Sequence, residues 1–325
     1  MFPTSTQCKY WMFSSEEELN QLREKTNTKH IQAYGKNVPE ANRYDYFLTP
    51  VEESLMAKRY ELFLRDFCKG FSPPMPRNVT GTAFHYFKRF YVNNSVMNYH
   101  PKEIMVTCVY LACKVEEFNV SIGQFVSNIK GDREKASDII LNNELLLMEQ
   151  LNYHLAIHNP FRPVEGLIID IKTRCQSLND PERLRPGIDQ LLDKVFLTDA
   201  ILLYSPSQMA LAAILHAASK LQENLDSYVT DTLFGVDGRG KLEELIEAVR
   251  GIRSMVKMAD VNPDKNQMKL IEKKLEKCRN PDNNPDSEIY KKRMQALLDD
   301  EDEVYNQIMN SNTELDNSTL NMQAL

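Results

Sequence analysis

Residues 99–119 read YHPKEIMVTCVYLACKVEEFN. Pro101 stands where the first turn of a helix tolerates proline, and nothing between it and Glu117 breaks one. Ile104, Cys108, Leu111 and Val115 share one stripe, while Met105, Val106, Val109, Tyr110 and Ala112 fill other directions. A helix apolar nearly all the way round belongs at the centre of a bundle, wrapped by other helices. It ends abruptly in Lys114, Glu116 and Glu117. Such an end is ordinarily a solvated C-terminus, where the lysine suits the helix dipole and the glutamates do not.

The pattern returns downstream as YSPSQMALAAILHAASKLQE, residues 204–223. Setting Tyr99-His-Pro101 on Tyr204-Ser-Pro206 fixes an offset of 105 residues, which pairs Ile104 with Met209, Val106 with Leu211 and Val109 with Ile214. A repeated supersecondary plan marks duplication. Around the first copy, helices read over 50–69, 77–93, 121–126 and 134–152; Thr49-Pro50 starts the series and Gly70 stops its first member. Ile139, Ile140, Leu145, Leu146, Met148 and Leu151 form the apolar basis of the last. Around the second copy they read over 160–176, 181–203, 225–233 and 240–258. Two five-helix domains joined near His158-Asn159-Pro160 follow from this. The copies differ in charge, because Ser219 replaces Lys114 and Gln222 replaces Glu117. Charge confined to one copy of a duplicated scaffold suggests a binding site grafted onto that copy.

Outside the repeats, residues 10–30 read as a helix with Ser14 as N-cap and Glu17 closing a capping box. Trp11 and Phe13, just inside that stretch, are expected to pack on the body, and the helix itself on repeat one or across both repeats. Beyond Asn262-Pro263 a charged helix runs to about Arg279, with Met268, Leu270, Ile271, Leu275 and Cys278 as its thin apolar side. NPDNNPD (280–286) breaks it; residues 287–310 allow a further helix, and the remainder reads as disordered.

The 325 residues are 42% hydrophobic and 26% charged, with only 11 glycines, the composition of a globular all-α chain. No apolar run approaches the roughly 18–20 residues of a membrane span, and the N-terminus does not read as a secretory signal. Cysteines 8, 68, 108, 113, 175 and 278 include no CxxC pair, so neither a disulfide framework nor a zinc site is expected. The net charge of −7 lies in residues 281–325, where ten acids face three bases. The neutral remainder offers no general footprint for nucleic acid.

Several motifs dissolve on inspection. GVDGRGK (235–241) matches part of a phosphate-binding loop, but Leu242 stands where a hydroxyl should reach Mg²⁺; it reads as a turn. His154 and His158 share helical spacing, yet Asn159-Pro160 ends any helix there, which favours an interdomain contact over a metal pair. FHYFKRFYVNN (84–94) has the composition of a stacking surface, but Phe84, Phe87 and Tyr91 recur as a core stripe. No metal, cofactor or catalytic constellation is expected.

Residues 75–119, with YFKRFY, the HP helix start and LACKVEE, are similar to the cyclin box, as is the later ELLLMEQLNYHL. The resemblance covers about residues 50–260. The flanking WMFSSEEEL and HNPFRPVEGLIIDIKTR resemble the cyclins of CDK-activating complexes in particular. The resemblance implies a 1–49 arm with a capping helix, a kinase-binding cyclin box at 50–158 and a second box at 159–260. It leaves 261–325 as a C-terminal helix and acidic, partly disordered tail. It also implies a non-catalytic nuclear subunit that activates the cyclin-dependent kinase of that complex, with a RING-finger assembly factor and the TFIIH core as further partners. Substrates would be the activation loops of other cyclin-dependent kinases and the C-terminal repeats of RNA polymerase II. No membrane and no direct nucleic acid contact is implied. The kinase-contacting set carries over to Lys114, Glu144, Glu117, Phe118 and Leu147. Where cell-cycle cyclins recruit substrates through an apolar patch, KRYEL (58–62) keeps Arg59 and Leu62 but loses that surface, so no docking is expected there. The rival is a cyclin-fold transcription factor that binds DNA directly, with a basic face across the repeats.

Overall fold

The computed structural model describes residues 2–175, 178–235, 239–259 and 264–296, and those residues contain helices and no strand. α1 (Thr6–Tyr10), α2 (Glu16–Tyr34) and the short α3 (Arg43–Tyr46) precede the first repeat. That repeat comprises α4 (Pro50–Lys69), α5 (Arg77–Asn93), α6 (Pro101–Val115), α7 (Ile122–Val126) and α8 (Arg133–Gln150). The second comprises α9 (Phe161–Arg174), α10 (Arg185–Val195), α11 (Ala200–Leu203), α12 (Pro206–Lys220), a π-helical turn at Tyr228–Phe234 and α13 (Arg239–Ala259). α14 (Lys265–Cys278) closes a compact unit running from Met1 to Cys278. In a second unit, from Arg279 onward, Ser287 caps a helical stretch over 288–296 by accepting from the Tyr290 amide at 3.0 Å. Residues 236–238 of the GVDGRGK stretch and 297–325 lie outside the described residues.

Helix boundaries follow local chemistry. Thr49 and Glu52 form a capping box with Pro50 in the first turn of α4, and Ser205 and Gln208 do the same for α12 around Pro206. The offset of 105 holds along the fold: α4 and α9 end at Lys69 and Arg174, and α6 and α12 are each 15 residues long. α6 packs against α4, α5 and α8, and α12 against α9, α10 and α13. Each central helix therefore hides both its stripe and its flanks, and Ile104, Cys108, Leu111, Met209, Ala213 and Ile214 are buried.

Two boundaries and one side-chain orientation differ from the sequence reading. Residues 10–30 are not one helix, because α1 ends at Tyr10 and α2 starts at Glu16 with Ser15, not Ser14, as N-cap. Ser15 accepts from the Glu18 amide, while Ser14 donates its amide and hydroxyl to the Glu18 carboxylate. Residues 181–203 are broken into a 3₁₀ turn, α10 and α11. Thr198 causes the second break: its hydroxyl donates to the Val195 carbonyl at 2.7 Å and accepts from the Ala200 amide at 3.2 Å, offering the backbone a local alternative to the helical ladder. On α14, Met268, Ile271, Leu275 and Cys278 are buried, but Leu270 points outward and is 68% exposed.

The N-terminal segment ties the two repeats together. Gln7 exchanges hydrogen bonds with the backbone of His158, and the Trp11 indole donates to His154 Nδ1 at 3.1 Å. Trp11 also lies over the guanidinium of Arg89, which burial pushes down to about 9. The Phe13 amide donates to the Leu202 carbonyl at 2.9 Å. The two histidines are thus contacts of the arm at the interdomain linker.

Behind α2 runs a buried ionic chain. Arg23 grips Asp199 through two bonds of 2.7 and 2.9 Å; Lys88 reaches Glu61 at 2.6 Å and Asp199 at 3.6 Å. It joins α2 and α4 to α5, and both to the α10–α11 turn. Burial acts to raise the Asp199 carboxyl, but Lys88 and Arg23 outweigh it and hold that group well below the usual carboxylate range. Burial raises Glu61, which has one close cation rather than two. Lys88 and Arg89, the charged members of the aromatic stretch on α5, are both inside the fold with Phe84, Phe87 and Tyr91. That disposes of a stacking surface.

Candidate functional site

The charged end of α6 is a Schellman motif. Glu117 adopts a left-handed backbone at φ 55°, the Phe118 amide donates to the Cys113 carbonyl at 2.9 Å and the Glu117 amide to the Lys114 carbonyl at 3.3 Å. This closure fixes where Lys114 leaves the helix. Its Nζ meets the Glu144 carboxylate of α8 at 2.7 Å and sits 4.8 Å from the centre of the Tyr110 ring. Lys114 is 46% exposed in its side chain and Glu144 is 14% exposed, so the lysine faces solvent while the carboxylate is held by the packing.

An aromatic floor supports the pair. Tyr110 meets Phe125 edge-on at 5.1 Å, Phe125 meets Phe71 at 5.4 Å, and Phe71 meets Phe118 at 6.4 Å. Glu116, next in the chain, turns the other way and accepts from the buried Thr82 hydroxyl at 2.6 Å. Asn159 donates to the same hydroxyl at 3.1 Å, so the start of the linker between repeats is anchored to the end of α6.

Of the five expected contact residues, Lys114 and Glu144 come together, Glu117 lies exposed beside them and Phe118 is half-buried. Leu147 does not join them. It is fully buried among core residues and supports α8 from behind, so it offers no surface to a partner. The exposed apolar residues of α8 are Leu141 at 47% and Leu145 at 61%. They are one helical turn apart on one face and border Glu144. The sequence reading placed Leu145 in the core and passed over Leu141. The spacing Leu141–Leu145 beside an acid, on the helix facing Lys114, is the signal that could have found them.

The counterpart site in the second repeat keeps the backbone, with Ser219 in place of Lys114. Gln222 has φ 58°, and the Glu223 and Gln222 amides donate to the carbonyls of Ala218 and Ser219 at 2.9 and 3.2 Å. KRYEL has a different employment: Arg59 pairs with Glu272 of α14 at 3.1 Å and lies over the Phe63 ring. The C-terminal helix thus occupies that stretch.

Residues 61–156 match the family model for the cyclin N-terminal domain, and residues 159–257 that for the cyclin C-terminal domain. Over 285 residues the chain is 45% identical to Cyclin-H of Xenopus laevis, covering 86% of this chain and 87% of that protein. The chain belongs to the cyclin H family. It is 33% identical to Cyclin-H1-1 of Arabidopsis thaliana, over 85% of this chain and 88% of that one. Among solved structures it resembles a chain of the CAK complex of Chaetomium thermophilum bound to ATP-gamma-S. The TM-score is 0.75 and the identity 27%, covering 91% of this chain and 93% of the other. A chain of the yeast TFIIK (Kin28/Ccl1/Tfb3) complex matches at TM-score 0.63 and 25% identity, over 78% and 100% of the two chains. The cyclin H fold here is all-α, with two cyclin domains and extra helices at both ends, and the chain is a cyclin H-like regulatory subunit.

Proposed function

We propose that this cyclin activates the kinase of a CDK-activating complex through the α6–α8 surface built on Lys114 and Glu144. The observation that carries the reading is the 2.7 Å pair itself, presented beside two exposed leucines on a rigid aromatic floor. Lys114 keeps ammonium hydrogens free for carbonyl groups of a partner, and Glu144 keeps lone pairs for amides. Charge-assisted bonds of this kind contribute roughly 1.5–3 kcal/mol each. Leu141 and Leu145, with Phe118, supply apolar area, and Glu117 borders the contact. The partner surface is the segment around the kinase's regulatory helix. Activation is then a population shift: the cyclin binds the helix-in conformer better and so favours the aligned lysine–glutamate pair and metal site of the kinase.

In this reading the chain performs no chemistry itself. The first box, 50–158, binds the kinase. A RING-finger assembly factor completes the complex and joins it to the TFIIH core, in the nucleus. Support comes from the named complexes of the structural relatives, CAK and TFIIK. The experiment is binding and kinase activation across a panel of monomeric cyclin-dependent kinases, with Leu141→Asp/Leu145→Asp as the variant. Selective activation of one kinase, weakened at least tenfold by the variant, is the expected result. Salt-dependent binding to duplex DNA with no kinase bound would replace this reading by its rival.

A further inference from the structure

α14 carries lysines at positions 265, 269, 273 and 277, one every four residues, and all four are exposed. They form a single stripe on the face opposite the buried Met268, Ile271, Leu275 and Cys278. The other charges of α14 have partners on the first repeat or near it: Lys274 meets Glu52 at 2.8 Å, Glu272 meets Arg59 at 3.1 Å, and Glu276 faces His100 at 3.9 Å. Among the described residues none of the four stripe lysines forms an ion pair. Like charges one turn apart destabilise a helix by about 0.2–0.5 kcal/mol per pair, so folding gains nothing from this stripe.

Apolar and aromatic groups border it. Leu270 is 68% exposed, and Tyr44 and Tyr46 of the neighbouring α3 are 78% and 39% exposed. The Tyr46 hydroxyl donates to the Lys277 carbonyl at 2.9 Å, which fixes the aromatic residue against the end of the stripe. The tyrosines and Leu270 supply the anchors that a solvated lysine face lacks, because aromatic side chains are enriched at protein interfaces whereas lysine is depleted there. A nucleic-acid backbone would use the lysines but leave Leu270 and the two tyrosines idle.

We propose that the outward face of α14 docks an acidic amphipathic helix of a partner protein. The four lysines step by about 6 Å along the axis, which is also the step of Glu or Asp residues placed every four positions on a partner helix. Such a helix laid along α14 matches the charges over roughly 18 Å and sets one apolar residue on Leu270. The site lies on α14 and α3, separate from the α6–α8 surface.

The test uses the full chain and fluorescein-labelled helical peptides of about 20 residues, each long enough to span the stripe. One has Glu at every fourth position beside a leucine stripe, and a second has the same composition in permuted order; a labelled DNA duplex is the third probe. The in-register peptide is expected to bind at least about tenfold tighter than the permuted one, a difference of roughly 1.4 kcal/mol. Lys269→Glu/Lys273→Glu removes that preference, Leu270→Ala weakens it, and raising salt from about 50 to about 300 mM weakens it further. Circular dichroism and kinase activation by these variants stay as in the native chain; if the reversal disturbs folding, Lys269→Gln/Lys273→Gln gives the same reading. Equal binding of both peptides, indifference to charge reversal, or tighter binding of DNA would overturn the proposal.

Discussion

Glu117 and Gln222 hold the same left-handed backbone, at φ 55° and 58°, at the ends of the two central helices. Neither is glycine, although a side chain in that region costs about 1–2 kcal/mol. In the proposed reading Glu117 stays because its carboxylate borders the kinase contact, a reason that Gln222 does not share. Glu117→Gly and Gln222→Gly should therefore each leave stability unchanged or raise it by up to about 1 kcal/mol, after the entropy that glycine adds to the unfolded chain. Urea denaturation measures this; a loss at either position would show that the side chain makes a stabilising contact.

The Lys88–Glu61 pair is sealed in the fold with side chains 2% and 8% exposed. Lys88→Met leaves Glu61 without its cation and should cost roughly 3–5 kcal/mol. Adding Glu61→Gln to that variant should restore much of the loss, because it is the stranded carboxylate and not the lost pair that is expensive. Arg23→Ala costs less, since Arg23 and Asp199 retain 21% and 22% exposure. Equal losses from the single and double changes would rule out this account of the network.

Acid should weaken the protein through its buried histidines. Burial lowers His30 to about 4 and His85 well below its ordinary value. In the unfolded chain both take up protons near pH 6.5, while the folded chain resists, so stability is full above that pH and falls as the pH drops toward 4. Each histidine contributes a slope of up to about 1.4 kcal/mol per pH unit over that window. His30→Leu should flatten the stability profile between pH 6.5 and 4, read from urea midpoints; an unchanged slope would place the proton uptake elsewhere.

Gly81 on α5 lets the first repeat approach the linker. A methyl group there would lie 2.3 Å from Asn159 Oδ1 and 3.0 Å from the Phe196 ring. Gly81→Ala should cost about 1–3 kcal/mol by overpacking and should loosen the Thr82–Asn159 hydrogen bond. Thermal unfolding of the variant with and without Asn159→Ala separates the two effects, the second change recovering part of the loss.

The central helices, their repeat and most first-repeat boundaries were legible because proline, glycine and capping residues act within a few positions of themselves. Thr49-Pro50, Gly70, Pro101 and Pro206 each mark an end where the structure has one. Ser14 and Ser15 compete for one cap, and the sequence SSEEE allows either register. α8 is apolar in too many directions for periodicity to say which leucine faces inward, so Leu145 reads as part of its apolar basis but is exposed, while Leu147, carried over by resemblance as a contact, is buried. The burial of Lys88 and Arg89 is not legible in the sequence, because what accommodates them, Glu61, Asp199, Trp11 and His154, is remote along the chain. The Lys114–Glu144 pairing came from resemblance; spacing alone carried no sign of it.

The most direct test measures the affinity of the native chain and of Lys114→Ala/Glu144→Ala for the monomeric kinase, by calorimetry, with thermal unfolding alongside. The pair is too exposed at Lys114 to contribute more than about 1 kcal/mol to folding, so the melting profile should barely move. Kinase affinity should fall at least tenfold, about 1.4 kcal/mol or more, with activation lost in parallel. Native affinity in the folded double variant would contradict the account and move the kinase contact away from the end of α6.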